Sequence, residues 1–198
     1  MYISIEGNIG VGKTTIAKAL AKKLNAYFLA ENFEDNDLLP LFYQNKKKFS
    51  FITEYSFLID RYVQLFSYFK KNKNKLTVSD FHFDKSLCFA KSNLSKKEFV
   101  LFKKSFNEIR ANIPEPDLFV YLETETNLLI KNIHKRGRDY ESDIQNKYLQ
   151  KINNSYKKHF LSKKTMPKNI LKIGIKDYNK KTVSICCDKI IQTLNFQK

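Results

Sequence analysis

Gly7-Asn8-Ile9-Gly10-Val11-Gly12-Lys13-Thr14 carries the spacing G-x-x-x-x-G-K-[ST], a pattern whose backbone N–H groups can converge on one anion. Glycines permit the tight turn, and the helix dipole that follows adds positive potential. In such a loop Lys13 reaches the outer phosphates of a bound triphosphate and the Thr14 hydroxyl ligates Mg²⁺, while Asn8, Ile9, Val11 and Thr15 complete the cradle. A glycine-rich turn can also merely join a strand to a helix, but here all four fixed positions and both flanks agree. Three further segments narrow the chemistry. Glu31 follows a short apolar run, where a carboxylate can accept a proton from a hydroxyl attacking the terminal phosphate. Asp80, after Leu76-Thr77-Val78-Ser79, is placed to orient Mg²⁺. Arg136-Gly137-Arg138 puts two guanidiniums around a flexible glycine, a turn able to close over phosphates and neutralise spreading charge. Each carboxylate could equally cap the next element, and the arginines could equally be solvated.

The elements that must hold these residues are legible in the hydrophobic pattern. Strands are expected at 1–6, 26–30, 76–79, 118–122 and 170–175. Helices are expected after Gly12, with Ile16, Leu20 and Leu24 on one face, and at 38–42, 49–69, 87–91, 95–111, 127–135, 144–160 and 182–194. Within 49–69, the residues Phe51, Tyr55, Leu58, Tyr62, Leu65 and Phe69 recur at spacings of three and four. Ser95 and Glu98 form a capping box, and Pro114 and Pro116 end the helix it starts. Strands alternating with helices specify an α/β fold, a parallel doubly wound sheet of five strands with helices on both faces.

The length of 198 residues suits one domain. No apolar run is long enough to span a membrane and no basic leader precedes the first strand, so a cytoplasmic protein is expected. Cys88, Cys186 and Cys187 have neither disulfide nor metal-ligand spacing. They read as buried thiols, and His82, His134 and His159 stay unassigned. A formal net charge of +16 suggests a polyanion partner. Of the 36 basic residues, however, only Arg61, Arg110, Arg136 and Arg138 are arginines, and arginine is the better residue for bidentate and stacked nucleic-acid contacts. Scattered lysines read as solvated faces, and a nucleic-acid partner is not expected.

The chain resembles the bacterial deoxynucleoside kinases, in particular their deoxyadenosine and deoxycytidine kinase branch. The resemblance rests on Gly7 to Thr15, Glu31-Asn32-Phe33 with Leu39-Pro40-Leu41-Phe42-Tyr43, and Phe57-Leu58-Ile59-Asp60-Arg61-Tyr62-Val63-Gln64-Leu65. It continues through Ser79-Asp80-Phe81-His82-Phe83-Asp84-Lys85 with Phe89-Ala90, Pro116-Asp117-Leu118, Arg136-Gly137-Arg138 with Glu141, and Tyr148-Leu149. It implies a P-loop NTPase-type fold with an arginine-rich lid at about 135–143, an enzyme of nucleotide salvage, ATP as phosphate donor with Mg²⁺, and a homodimer built on the 49–69 helix. The acceptor would be the 5′-hydroxyl of a 2′-deoxynucleoside, deoxyadenosine first and deoxycytidine next. By the same resemblance Glu31 is the general base and Tyr43 and Glu141 hold the sugar 3′-hydroxyl. Phe89 stacks on the base, Arg61 lines the base pocket, and Arg136 and Arg138 are the lid arginines.

Two departures stand out. Relatives carry a glutamine against the base edge where this chain has Glu54. Ionised, Glu54 only accepts, which favours the amine of adenine or cytosine over the carbonyl of thymine, and Arg61 is its expected partner. Many relatives also carry an arginine directly after the strand-end acid, where this chain reads Asp80-Phe81-His82, so either Lys85 supplies the second cation or the site manages without it. A nucleoside monophosphate kinase of the thymidylate type is the nearest alternative, although such an enzyme needs a cation near Glu31 to grip the acceptor phosphate. A nucleotide-dependent nucleic-acid-binding protein is the more distant one.

Overall fold

The structure, a computed structural model, describes residues 1–33, 36–162 and 165–195. Five parallel strands form one sheet in the order β2-β3-β1-β4-β5: β1 Tyr2–Gly7, β2 Tyr27–Leu29, β3 Thr77–Ser79, β4 Leu118–Glu123 and β5 Ile170–Gly174. Register pairs Ser4 with Ser79, Leu29 with Ser79, and Ile5 with Val120. Eight helices among the described residues connect and cover it: α1 Lys13–Leu24, α2 Leu38–Gln44, α3 Lys46–Lys71, α4 Lys85–Asn93, α5 Lys96–Arg110, α6 Thr126–Arg136, α7 Asn146–Phe160 and α8 Lys180–Asn195. None is long and apolar enough to cross a membrane.

Alternation along β4 explains why both faces are covered. Leu118, Val120 and Leu122 enter the core that contains Ile16, Leu20 and Ile190, whereas Phe119 and Tyr121 enter a second one with Ile152, Tyr156 and Phe160. Side chains two apart share a face, so a strand apolar at every position must be buried on both. A third core holds Leu58, Leu65, Phe81, Phe102 and Phe106 beneath α3 and α5. All three cysteines are buried and free.

Most element ends shift by one to three residues from expectation, and three differences bear on the site. The third helix starts at Lys46 because Asn45 caps it, its side chain accepting from the Lys48 N–H. α4 begins at Lys85 rather than 87, bringing that lysine into the first turn. After Gly137, in the left-handed conformation at φ 67°, Asp139–Glu141 forms a 3-10 turn that the sequence pattern did not signal.

Candidate active site

The sheet order places the ends of β2, β3 and β1 side by side, so Glu31, Asp80 and the glycine loop meet at one edge. Gly10 and Gly12 adopt φ 80° and 89°. A Cβ on Gly10 would come within 2.7 Å of the Leu129 carbonyl oxygen, and one on Gly12 would overlap the Tyr178 hydroxyl. Backbone of this shape is open only to glycine here. The loop is tied down at three points. Asn8 Nδ2 donates to the Leu149 carbonyl on α7, Asn132 Nδ2 on α6 donates to the Gly10 carbonyl, and the Tyr178 hydroxyl donates to the Gly12 carbonyl, each at 2.8 Å.

Lys13 Nζ donates to the carbonyls of Gly7 (2.8 Å) and Asn8 (3.1 Å) and lies 4.0 Å from the buried carboxylate of Glu6. Burial, then the neighbouring charge of Lys85, lowers its pKa to about 8. Glu6 is itself held from three sides, accepting from the Gly7 and His82 N–H groups and from the Tyr156 hydroxyl. The Thr14 hydroxyl donates to Asp80 Oδ2 at 2.5 Å, and Asp80 Oδ1 accepts the Glu31 N–H at 2.8 Å. Burial pushes the Asp80 carboxyl upward, partly offset by those bonds. A hydroxyl and a carboxylate oxygen side by side are the hard donors Mg²⁺ accepts, together with substrate phosphates and waters. Among the described residues no group of three or more His, Cys, Asp or Glu could form an all-protein metal site.

Glu31 is gripped by two cations. Arg61 Nε donates to its Oε1 at 2.8 Å and Lys85 Nζ to its Oε2 at 2.5 Å, all three side chains being nearly buried. Burial alone would raise this carboxyl, but Lys85 and Arg61, helped by Lys13, overcome it and hold the pKa at about 2. The question left by the sequence is thereby answered: Lys85 supplies the second cation. Its place in the first turn of α4 works against the helix dipole, and α4 is fixed there by Asp84, which accepts from Arg110 Nε (2.6 Å) on α5 and lies 2.8 Å from His159 Nε2 on α7.

The expected pairing of Arg61 with Glu54 is not what the structure shows. Arg61 spends its donors on Glu31 and on Ser86 Oγ at 2.9 Å, because Glu54 lies two helical turns away on α3, roughly 10 Å along the axis. Glu54 instead accepts from Asn93 Nδ2 at 2.6 Å. It is 3% exposed, and burial, only partly countered by Asn93, Arg61 and Lys85, raises its pKa to about 7. The sequence left the charge of Glu54 open; burial here disfavours its ionised, acceptor-only form relative to a free glutamate.

The remaining expected residues gather around the same space. The guanidinium of Arg136 pairs with Glu141 through Nε (2.7 Å) and Nη2 (2.6 Å), and Arg138 Nη1 lies 3.8 Å from that carboxylate. The Tyr43 ring stacks on Tyr140, and burial beside Glu141 raises its phenol well above the usual range. Phe89 lies under the Lys85 ammonium, 5.5 Å from ring centroid to Nζ.

Two cavities share one wall here. The smaller is lined by Tyr43, Thr53, Glu54, Phe57, Arg61, Lys85, Phe89, Asn93, Glu141 and Tyr148, and the larger by Gly12, Thr15, Lys18, Asn132, Lys135 and Tyr178. Gly10, Lys13, Thr14, Glu31, Phe33, Asp80, Arg136 and Arg138 line both. Every candidate outside the buried base of the loop thus reaches one cavity or the other. Sequence reasoning missed Asn93, Thr53, Asn132 and Tyr178. Asparagine and threonine on a helix give no signal of their own, and Tyr178 comes near the loop only through the sheet order.

The family model for deoxynucleoside kinases matches residues 3–194. The chain belongs to the deoxynucleoside kinase family. Deoxyguanosine kinase of Bacillus subtilis is 36% identical over 158 residues, covering 78% of this chain and 76% of that protein. Deoxyadenosine/deoxycytidine kinase of the same organism is 27% identical over 184 residues, covering 89% and 83%. Deoxyadenosine kinase from M. mycoides, solved with bound dATP, superposes with a TM-score of 0.81 at 25% identity, covering 96% of this chain and 98% of that one. This deoxynucleoside kinase is thus an ATP-dependent phosphotransferase with a P-loop NTPase-type fold, and neither the monophosphate-kinase nor the nucleic-acid-binding alternative is where the comparisons lead.

Proposed function

We propose that this kinase transfers the γ-phosphoryl of ATP to the 5′-hydroxyl of 2′-deoxyadenosine, with deoxycytidine next, and that the wall between the two cavities is where transfer occurs. The observation that carries this reading is that shared wall: it combines a phosphate lysine, a hydroxyl–carboxylate pair, a carboxylate between two cations and two guanidiniums. Donor triphosphate occupies the larger, glycine-loop side and acceptor nucleoside the smaller, aromatic side. Glu31 accepts the hydrogen bond of the attacking hydroxyl and orients it. Its low pKa makes it a weak base, which suffices because a loose phosphoryl-transfer transition state asks chiefly for positioning and charge neutralisation. Lys13, Arg136 and Arg138 neutralise the phosphoryl oxygens, Tyr43 and Glu141 hold the 3′-hydroxyl, and Phe89 supports the base. Thr14 and Asp80 would hold Mg²⁺, which supplies charge neutralisation at the phosphates.

The base assignment is supported by Glu54, whose two oxygens can present one acceptor and one donor, matching the amine and ring nitrogen of adenine or cytosine. Residues 135–143 act as the lid over both cavities. Ile52, Ile59, Val63 and Phe66 form one exposed apolar stripe on α3, which supports a homodimer through that helix. Ile59→Asp is expected to shift the species to monomer in analytical ultracentrifugation. The function itself is tested with the four deoxynucleosides, their ribose counterparts and their 5′-monophosphates, each with ATP and Mg²⁺. Phosphorylation of deoxyadenosine above the others is expected, and thymidine as best substrate would overturn the base assignment.

A further inference from the structure

Three of the four arginines line the cavities, and Arg110 does not. It ends α5 with its side chain only 17% exposed. All three nitrogens of its guanidinium are engaged: Nε donates to Asp84 Oδ1 at 2.6 Å, Nη1 to the Ile113 carbonyl at 2.9 Å, and Nη2 to Glu115. An arginine held at each nitrogen has given up the rotamer freedom that a solvated one keeps. Its carboxylate partner shows what that ordering achieves.

Asp84 is the N-cap of α4, yet its side chain makes no capping hydrogen bond. Its oxygens turn to neighbouring helices instead, Oδ1 accepting from Arg110 and Oδ2 lying 2.8 Å from His159 Nε2 in the last turn of α7. Three helix ends thus meet on one carboxylate. A carboxylate at an amino end and basic groups at two carboxyl ends are the signs that the helix dipoles favour. The backbone closes the cluster, the Asp84 N–H donating to His82 Nδ1 at 3.1 Å and the His82 N–H to Glu6 Oε2 at 2.9 Å. Burial disfavours the Asp84 charge, but His82, His159 and Arg110 outweigh it and hold the carboxyl well below its ordinary range.

The next residue is Lys85, whose ammonium lies 2.5 Å from Glu31. The dipole of α4 opposes a cation in its first turn, and Asp84 both offsets that field and ties the same helix end to α5 and α7. We propose that Arg110, Asp84 and His159 are positioning residues for phosphoryl transfer, clamping the amino end of α4 so that Lys85, and through it Glu31, stays aligned with the attacking hydroxyl. None of the three lines either cavity, so their influence passes through Lys85. This rests on the role proposed for Glu31.

The test is a double-mutant cycle on kcat in the full-length enzyme, using the best deoxynucleoside of the panel above with ATP and Mg²⁺. Arg110→Met is expected to lower kcat by about five- to tenfold through misplacement at the reacting centre. KM for ATP should change by less than about twofold, because the phosphate loop lies outside the cluster. In a Lys85→Met background the same change should cost less than about twofold in kcat, the residue through which it acts being gone. Asp84→Asn, which keeps a side chain suited to an N-cap, runs the same cycle should Arg110→Met not fold. Equal losses in both backgrounds, an unchanged kcat, or a rise in KM for ATP that matches the loss in kcat overturns the proposal. Glu31→Gln in the same series keeps the two readings apart: near-normal turnover there overturns the role of Glu31, whereas impaired turnover with equal Arg110 losses in both backgrounds overturns only the cluster.

Discussion

Glu31 and Glu54 lie at opposite ends of one cavity, both in surroundings that burial makes hostile to charge, yet one is held at about 2 and the other raised to about 7. Desolvation acts in the same direction on each. What separates them is the partner set. Glu31 has an ammonium on one oxygen and a guanidinium on the other, while Glu54 has a neutral amide. Under the proposed assignment, the end given to phosphoryl transfer needs a carboxylate that stays ionised, because protonation would abolish its role as acceptor. The end given to the base would tolerate a group that takes up a proton.

The largest effect should come from breaking the Glu31 end. Glu31→Gln is expected to lower kcat by about 10²- to 10⁴-fold with nucleoside affinity nearly kept, measured by steady-state kinetics alongside equilibrium binding. Near-normal turnover would remove Glu31 from its role. Lys85→Met tests whether partners set the difference: without the ammonium, Glu31 should move up toward the ordinary carboxylate range. The acid limb of kcat should then rise with it, and turnover near neutrality should fall by about 10- to 100-fold through misplacement. An acid limb that stays put would mean that Arg61 alone holds Glu31.

The smallest effect is on stability, and its sign differs between the two ends. The folded pKa of Glu31 lies below its unfolded value of about 4.5, so its contribution is complete above that pH and is lost as pH falls toward about 2. The folded pKa of Glu54 lies above its unfolded value. The native state therefore holds that proton more tightly, and stability is lost as pH rises from about 4.5 to about 7. Glu54→Gln should accordingly be more stable than the unmodified protein above about pH 7, on the order of 1–3 kcal/mol, with little difference below about pH 4.5. Urea unfolding at two pH values checks this. Equal stabilities at both would place the Glu54 carboxyl in a wetter setting than its 3% exposure indicates.

Much of this site was readable in the chain because it is written in local patterns. The loop from Gly7 to Thr15 announces itself by fixed spacing, and Glu31 and Asp80 by following apolar runs that end where parallel strands present ligands. Asn45 shows how short the reach of that reading is, since a single capping side chain extends α3 by a turn beyond the hydrophobic pattern. Arg61 shows the other failure. Its neighbour in sequence terms was Glu54, on the same helix, but its partner is Glu31, thirty residues away on another element.

Residue types and spacing alone determined that this chain folds as alternating strands and helices and carries a glycine loop whose amides can converge on a phosphate, because periodicity and glycine conformations act over a few residues. Only the tertiary structure decided which charges touch. The order β2-β3-β1 brings Glu31, Asp80 and the loop to one edge, α4 is pinned so that Lys85 reaches Glu31, and Glu54 is left with Asn93. A pKa depends on the few ångströms around a carboxyl, and that neighbourhood is assembled from segments far apart in the chain.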